Sequence, residues 1–106
     1  MSAADLLIEA RDRILDPAHW LRGQYHDDSK DRFCAVGSIR ESGQHFKAAD
    51  YNKAIEMLYK AALEVGVCTE KHSSPICVND HLGHEATMTM FDRSIRLAKE
   101  AEEGIA

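Results

Sequence analysis

Phe33-Cys34-Ala35-Val36-Gly37-Ser38-Ile39 is an uncharged, mostly apolar run in the middle of a chain of 106 residues. Charged turns stand on both sides, His26-Asp27-Asp28-Ser29-Lys30-Asp31-Arg32 before it and Arg40-Glu41-Ser42-Gly43 after it. An uncharged run among so many charges is most simply the piece on which the rest of the chain packs. Cys34, Ala35, Gly37 and Ser38 are small, so other elements can come close to its backbone. The stretch predicts a central buried helix over about 32–42, capped by Asp31 and ended by Gly43.

Towards the N-terminus, Ser2 with Asp5 three residues later has the pattern of a capping box. Ala3, Leu6, Leu7, Ala10 and Ile14 then recur at helical spacing, which predicts an amphipathic helix over 3–15. Asp16-Pro17 restarts the chain, because Asp caps well and Pro suits a first helical position. One or two turns carrying His19, Trp20 and Leu21 follow, closed by Gly23 in a left-handed conformation. Trp20 is the single tryptophan, and a lone Trp in a small domain is usually a core anchor whose indole N–H finds a partner. Residues 24–31 are polar and turn-like, with Gln24-Tyr25-His26 a short extended piece and no sheet expected.

Towards the C-terminus, residues 44–49 connect to a strongly patterned helix that starts near Asp50 and stops at Gly66. Its inner face is expected to be Tyr51, Ala54, Ile55, Leu58, Ala62 and Val65, with Lys53, Glu56, Lys60 and Glu64 outside. Residues 67–84 are irregular. Ser74-Pro75 signals a short helix over Ile76, Cys77 and Val78, Asn79-Asp80 leaves it, and Gly83 supplies a permissive turn. A last helix over 85–102 should bury Met88, Phe91, Ile95 and Ala98, flanked by Met90 and Leu97. The expectation is one all-α domain, residues 1–106, built as a compact bundle of four main helices with short accessory turns.

The formal net charge is −5, from 13 Lys and Arg against 18 Asp and Glu. That balance argues against a nucleic-acid binder, which needs a basic surface to neutralise phosphates, and against an anionic membrane surface. No apolar run approaches the roughly 20 residues of a membrane span. Asp5 and Glu9 occupy the region where an export signal would be basic and apolar. Three cysteines without such a signal suggest reduced thiols in a cytoplasm rather than a disulfide framework.

Four motifs resemble a family of short bacterial and phage-borne proteins known only as a domain of unknown function. They are Trp20-Leu21-Arg22-Gly23, then Cys34-Ala35-Val36-Gly37-Ser38-Ile39, then Asn79-Asp80-His81-Leu82-Gly83, and last Phe91-Asp92-Arg93-Ser94-Ile95. They cover nearly the whole chain in the family's order. Val78 stands where the family often has Trp, and the Cys and His richness of 68–84 is not a family trait. The resemblance supports the fold and implies no activity.

Three function classes follow. Cys68, His72, Cys77 and His81, with His84 beyond, could form a tetrahedral zinc site. The spacing is not that of a standard finger, and the bland alternative is a polar loop whose Cys77 turns inward as a small hydrophobe. His81 and His84 would then be a capping pair before the last helix. Cys34 could be the nucleophile of a thiol hydrolase, with a loop His as base and Asn79 or Asp80 orienting it. Its apolar setting predicts an inert buried thiol instead. Asn79 and Asp80 are read as turn-fixing side chains, with Asp80 accepting from the Trp20 indole or from Arg40. The preferred reading is a small non-enzymatic accessory protein, without cofactor, that binds another protein. One concrete version is a phage or mobile-element inhibitor of a host or defence complex. Met90 and Leu97 would suit a homodimer face.

Overall fold

Ser2 opens the first helix by accepting the Asp5 N–H on its Oγ at 3.2 Å while its own N–H donates to Asp5 Oδ2 at 3.0 Å. The computed structural model that shows this describes residues 2–66 and 74–104. Helix α1 is Ala3–Arg13, two residues shorter than its pattern suggests. It buries Ala3, Ala4, Leu6, Leu7 and Ala10, and Ile14 follows fully buried. Asp16 Oδ1 accepts the Ala18 N–H at 2.9 Å and starts a single 3₁₀ turn, Pro17–His19.

The chain then crosses the molecule as a loop, with Gly23 at φ +84°. Phe33 is its anchor. The Phe33 N–H donates to the His19 carbonyl at 2.9 Å, and the Phe33 carbonyl accepts the Leu21 N–H at 3.1 Å. Those bonds need an extended Phe33, so the central helix cannot start at 32. Helix α2 is Ala35–Gly43, and its N-cap is Cys34 rather than Asp31. The Asp31 N–H is used locally, donating to Asp27 Oδ1 at 2.8 Å. Among the described residues, only isolated bridges, Trp20 with Phe33 and His26 with Phe33, relieve the helical architecture.

Helix α3 is Ala48–Val65. Its buried stripe is Ala54, Met57, Leu58, Ala61 and Ala62, while Tyr51, Ile55 and Val65 are half-buried. A short α4, Pro75–Cys77, is capped by Ser74 Oγ, which accepts the Cys77 N–H at 3.2 Å. It continues into a π-helical turn, Val78–Leu82, closed by Gly83 at φ +98°. Helix α5 is His84–Glu102 and buries Thr87, Met90, Phe91, Ser94 and Ala98.

α1 is the hub, packing on α2, α3 and α5, while α3 and α5 run along each other. The approach of α1 to α2 is close because small residues meet there, and Ser38 Oγ donates to the Ala10 carbonyl at 2.6 Å. One contiguous cluster from Ala3 to Ala98 forms the core. Every described buried side-chain N or O atom has a hydrogen-bond partner, as a well-formed interior requires. Met90 is fully buried, so it contributes nothing to an exposed edge of α5. No helix among the described residues is long and apolar enough to cross a membrane.

Candidate functional site

The π-helical turn inserts an extra residue into its ring of hydrogen bonds, with the Gly83 N–H donating to the Val78 carbonyl at 3.2 Å. Such turns re-aim side chains and are frequent at functional places. Here the turn drives Asn79 into the interior, where it is fully buried. Asn79 Oδ1 accepts the Trp20 indole N–H at 2.7 Å and the Ala35 N–H at 3.0 Å. Asn79 Nδ2 donates to the Leu21 carbonyl at 2.9 Å and to Asp80 Oδ1 at 3.0 Å. An indole N–H only donates and a carbonyl only accepts, so the amide has a single workable orientation. Two lone pairs and two N–H bonds are the full capacity of the group, and all are used.

Asp80 Oδ1 also accepts the Gly23 N–H at 3.0 Å. The sequence suggests that this carboxylate accepts from the indole or from Arg40; among the described residues it bonds neither. The indole goes to Asn79, and the Arg40 guanidinium lies over the Tyr25 ring at 5.0 Å. Trp20 is half-buried, with its ring edge-on to His84 at 5.5 Å and the Arg22 guanidinium over its face at 5.0 Å. His84 is not a cap of α5. Its Nε2 bonds the Ile14 carbonyl at 2.8 Å, past the end of α1.

Cys34 is 5% exposed and free, and its Sγ accepts the Gly37 N–H at 3.3 Å. Burial pushes the Cys34 thiol up and the nearby Asp80 charge adds to it, against hydrogen bonds from Gly37 and Val36. Gly37 has its own reason to be glycine. A Cβ there would collide with the Tyr25 carbonyl, the same oxygen that accepts the Cys34 N–H at 3.1 Å. The loop thus lies directly on the first turn of α2.

A cleft of about 490 Å³ opens beside this junction. Cys34 and Asp80 lie at it, with Tyr25, His26 and Ile76 around them. Tyr25 and Ile76 are 46% and 41% exposed. The His26 Nδ1 donates to the Asp27 carbonyl at 2.7 Å, since a carbonyl oxygen only accepts. The structure therefore gathers Trp20, Gly23, Cys34, Gly37, Asn79, Asp80 and Gly83 around one junction. Tyr25, His26 and Ile76 were not singled out in the sequence, because nothing in their spacing marks residues brought together by a long loop.

Of the suggested zinc ligands, Cys68 and His72 lie outside the described residues. Cys77 is disulfide-bonded, against the expectation of reduced thiols, and His81 is exposed. Among the described residues no group of three or more His, Cys, Asp or Glu is placed to hold a metal ion.

A family of unknown function (DUF6197) matches residues 1–97 of the chain. No curated protein and no solved structure matches it.

Proposed function

The chain belongs to the family of unknown function DUF6197, and we propose that it is a small, non-enzymatic accessory protein that binds another protein through the Cys34–Asp80 cleft. In this reading the four longer helices act as a rigid bundle that presents the cleft. The carrying observation is the saturation of Asn79. A residue that spends every donor and acceptor on Trp20, Leu21, Ala35 and Asp80 holds a scaffold together and has nothing left for a substrate. Beside it, exposed Tyr25 and Ile76 flank a carboxylate. That arrangement suits a segment presenting a basic side chain between apolar ones, since an aromatic anchor with a charge at the centre is the usual makeup of a binding hot spot. The net charge of −5 would favour such a partner over long range. A phage or mobile-element inhibitor that occupies a basic, nucleic-acid-binding surface is one version of this role.

A thiol hydrolase draws some support from Cys34 and His26 lining the same cleft. Its chemistry fits less well, because a nucleophilic thiol needs a lowered pKa and burial here raises it.

The test is capture of partners on immobilised protein, repeated with Ile76→Glu and Tyr25→Ala. Both positions are on the surface, so the variants should fold with unchanged circular dichroism. A partner retained by the parent and released by both variants supports the reading. A partner retained equally by all three proteins places the interface elsewhere.

A further inference from the structure

A second cleft, of about 590 Å³, lies between the Tyr25–Lys30 turn, α2 and the start of α3. We propose that it binds a nucleoside monophosphate, with the phosphate held by Lys30 and Arg40 and the base set among aromatic rings. The volume falls within the ~300–1,000 Å³ of small-molecule sites. Its charged lining runs against the charge of the chain. Lys30 and Arg40 outnumber Glu41 there, although the protein as a whole is at −5. Neither cation pairs with a carboxylate among the described residues.

The Arg40 guanidinium and the Lys30 backbone are both held in place. The Arg40 guanidinium is held over Tyr25 at 5.0 Å, which fixes a group that binds phosphate through a planar fork. Lys30 sits at φ +58°, the one described non-glycine residue with a left-handed backbone. That conformation is unfavourable for a residue with a β-carbon, and it is maintained by the turn beneath it. The Lys30 N–H donates to the Asp27 carbonyl at 3.1 Å, and Asp27 Oδ1 gathers the N–H groups of Asp31 and Arg32. Strain of this kind gathers at ligand clamps. Phe46 and Tyr51 also line the cleft and are half-buried against the core, so their rings are fixed by packing. Aromatic side chains are the usual platforms on which bases stack, because every base has a π-face.

The combination selects the ligand class. A bare anion would leave the rings unused, and an apolar ligand would desolvate two cations without compensation. A nucleic-acid strand is disfavoured, since one excess positive charge in an acidic protein cannot neutralise a run of phosphates. One phosphate and one flat ring use both the cations and the aromatic rings of the cleft. This inference is independent of the docking reading, although the two clefts share Tyr25 and His26 as a wall.

Isothermal titration of the whole chain at low salt with AMP and with GMP tests it, with adenosine and inorganic phosphate as separate arms. Single-site binding of at least one nucleotide is expected, weakened by about tenfold or more in Arg40→Ala and in Lys30→Gly. Lys30→Gly also relieves the backbone, so its loss of binding would not reflect unfolding. Lys60→Ala, on the outer side of α3, should bind as the parent does. Absence of saturable binding at millimolar nucleotide overturns the proposal, as does equal binding by the Lys30 and Arg40 variants. Inorganic phosphate binding as tightly as AMP would overturn the role given to the rings.

Discussion

The Trp20 indole N–H donates to Asn79 Oδ1 across 2.7 Å, joining residues 59 positions apart in the chain. The same oxygen takes the first N–H of α2, from Ala35. One amide therefore ties the loop after α1, the start of α2 and the turn before α5. Asn79→Ala would leave the indole, the Ala35 N–H and the Leu21 carbonyl without their partner. Each orphaned buried group costs about 1–3 kcal/mol, and neighbours do not add fully, so a loss of about 3 kcal/mol is expected. Urea unfolding followed by Trp20 fluorescence measures it. An unchanged midpoint would show that the junction does not hold the fold.

Cys34 should be slow to alkylate. Its thiol is buried and raised above the usual range, so the thiolate that reacts is scarce and poorly reachable. Modification by iodoacetamide at neutral pH should be at least about a hundredfold slower than that of a free thiol, since it waits for local opening. Mass spectrometry of the time course, resolved by peptide, reads it. Labelling of Cys34 within seconds in the folded protein would instead revive a nucleophilic role.

The long helices were legible because their apolar spacing carries them, yet the faces shifted where the signal was weak. On α5 the buried stripe is Thr87, Met90, Phe91, Ser94 and Ala98, and two of its members are polar. Thr87 Oγ1 bonds the Gly83 carbonyl and Ser94 Oγ the Phe91 carbonyl, each at 2.8 Å. Internal satisfaction lets a hydroxyl sit in a core, and an apolar count misses it. On α3 the stripe moves onto Met57 and Ala61 because that helix packs on both α1 and α5. The start of α2 was out of reach for another reason. Cys34 is its cap because Phe33 is held extended by His19 and Leu21, and those bonds cross the loop. The motif residues stood out in the sequence, but their meeting depends on a π-helical turn that no local pattern announces.

Gly37 and Gly23 separate close approach from backbone strain. Gly37→Ala would drive a Cβ into the Tyr25 carbonyl, which is backbone and cannot rotate away. The loop must lift from α2, at a cost of about 1–3 kcal/mol. Gly23→Ala meets nothing within 4 Å but sits at φ +84°, so only the conformational penalty of about 1–2 kcal/mol applies. Amide hydrogen exchange distinguishes the two. Gly37→Ala should speed exchange at Cys34, whose N–H bonds the Tyr25 carbonyl, whereas Gly23→Ala should leave it protected. Equal protection in both variants would mean that the loop does not rest on Gly37.

Asp27 gives the turn before Phe33 an acid limit. Desolvation raises its carboxyl, but the backbone N–H groups of Arg32 and Asp31 and the Arg32 guanidinium outweigh that and hold it at about 2, below the ordinary 3.8. A carboxyl lowered on folding favours the folded turn when ionised, so its contribution is fully present above pH 3.8 and is lost as the pH falls through about 2. Carbon-detected NMR titration of the Asp27 carboxyl should show a midpoint near 2. The Lys30 and Arg32 amide resonances should move with it, because Asp27 organises both. Asp27→Asn should remove the acid-dependent change in those amides, since the neutral amide does not titrate. A midpoint at the ordinary 3.8 would mean that Arg32 and the backbone donors do not engage the carboxylate in solution. The left-handed Lys30 would then lose the turn that sustains it.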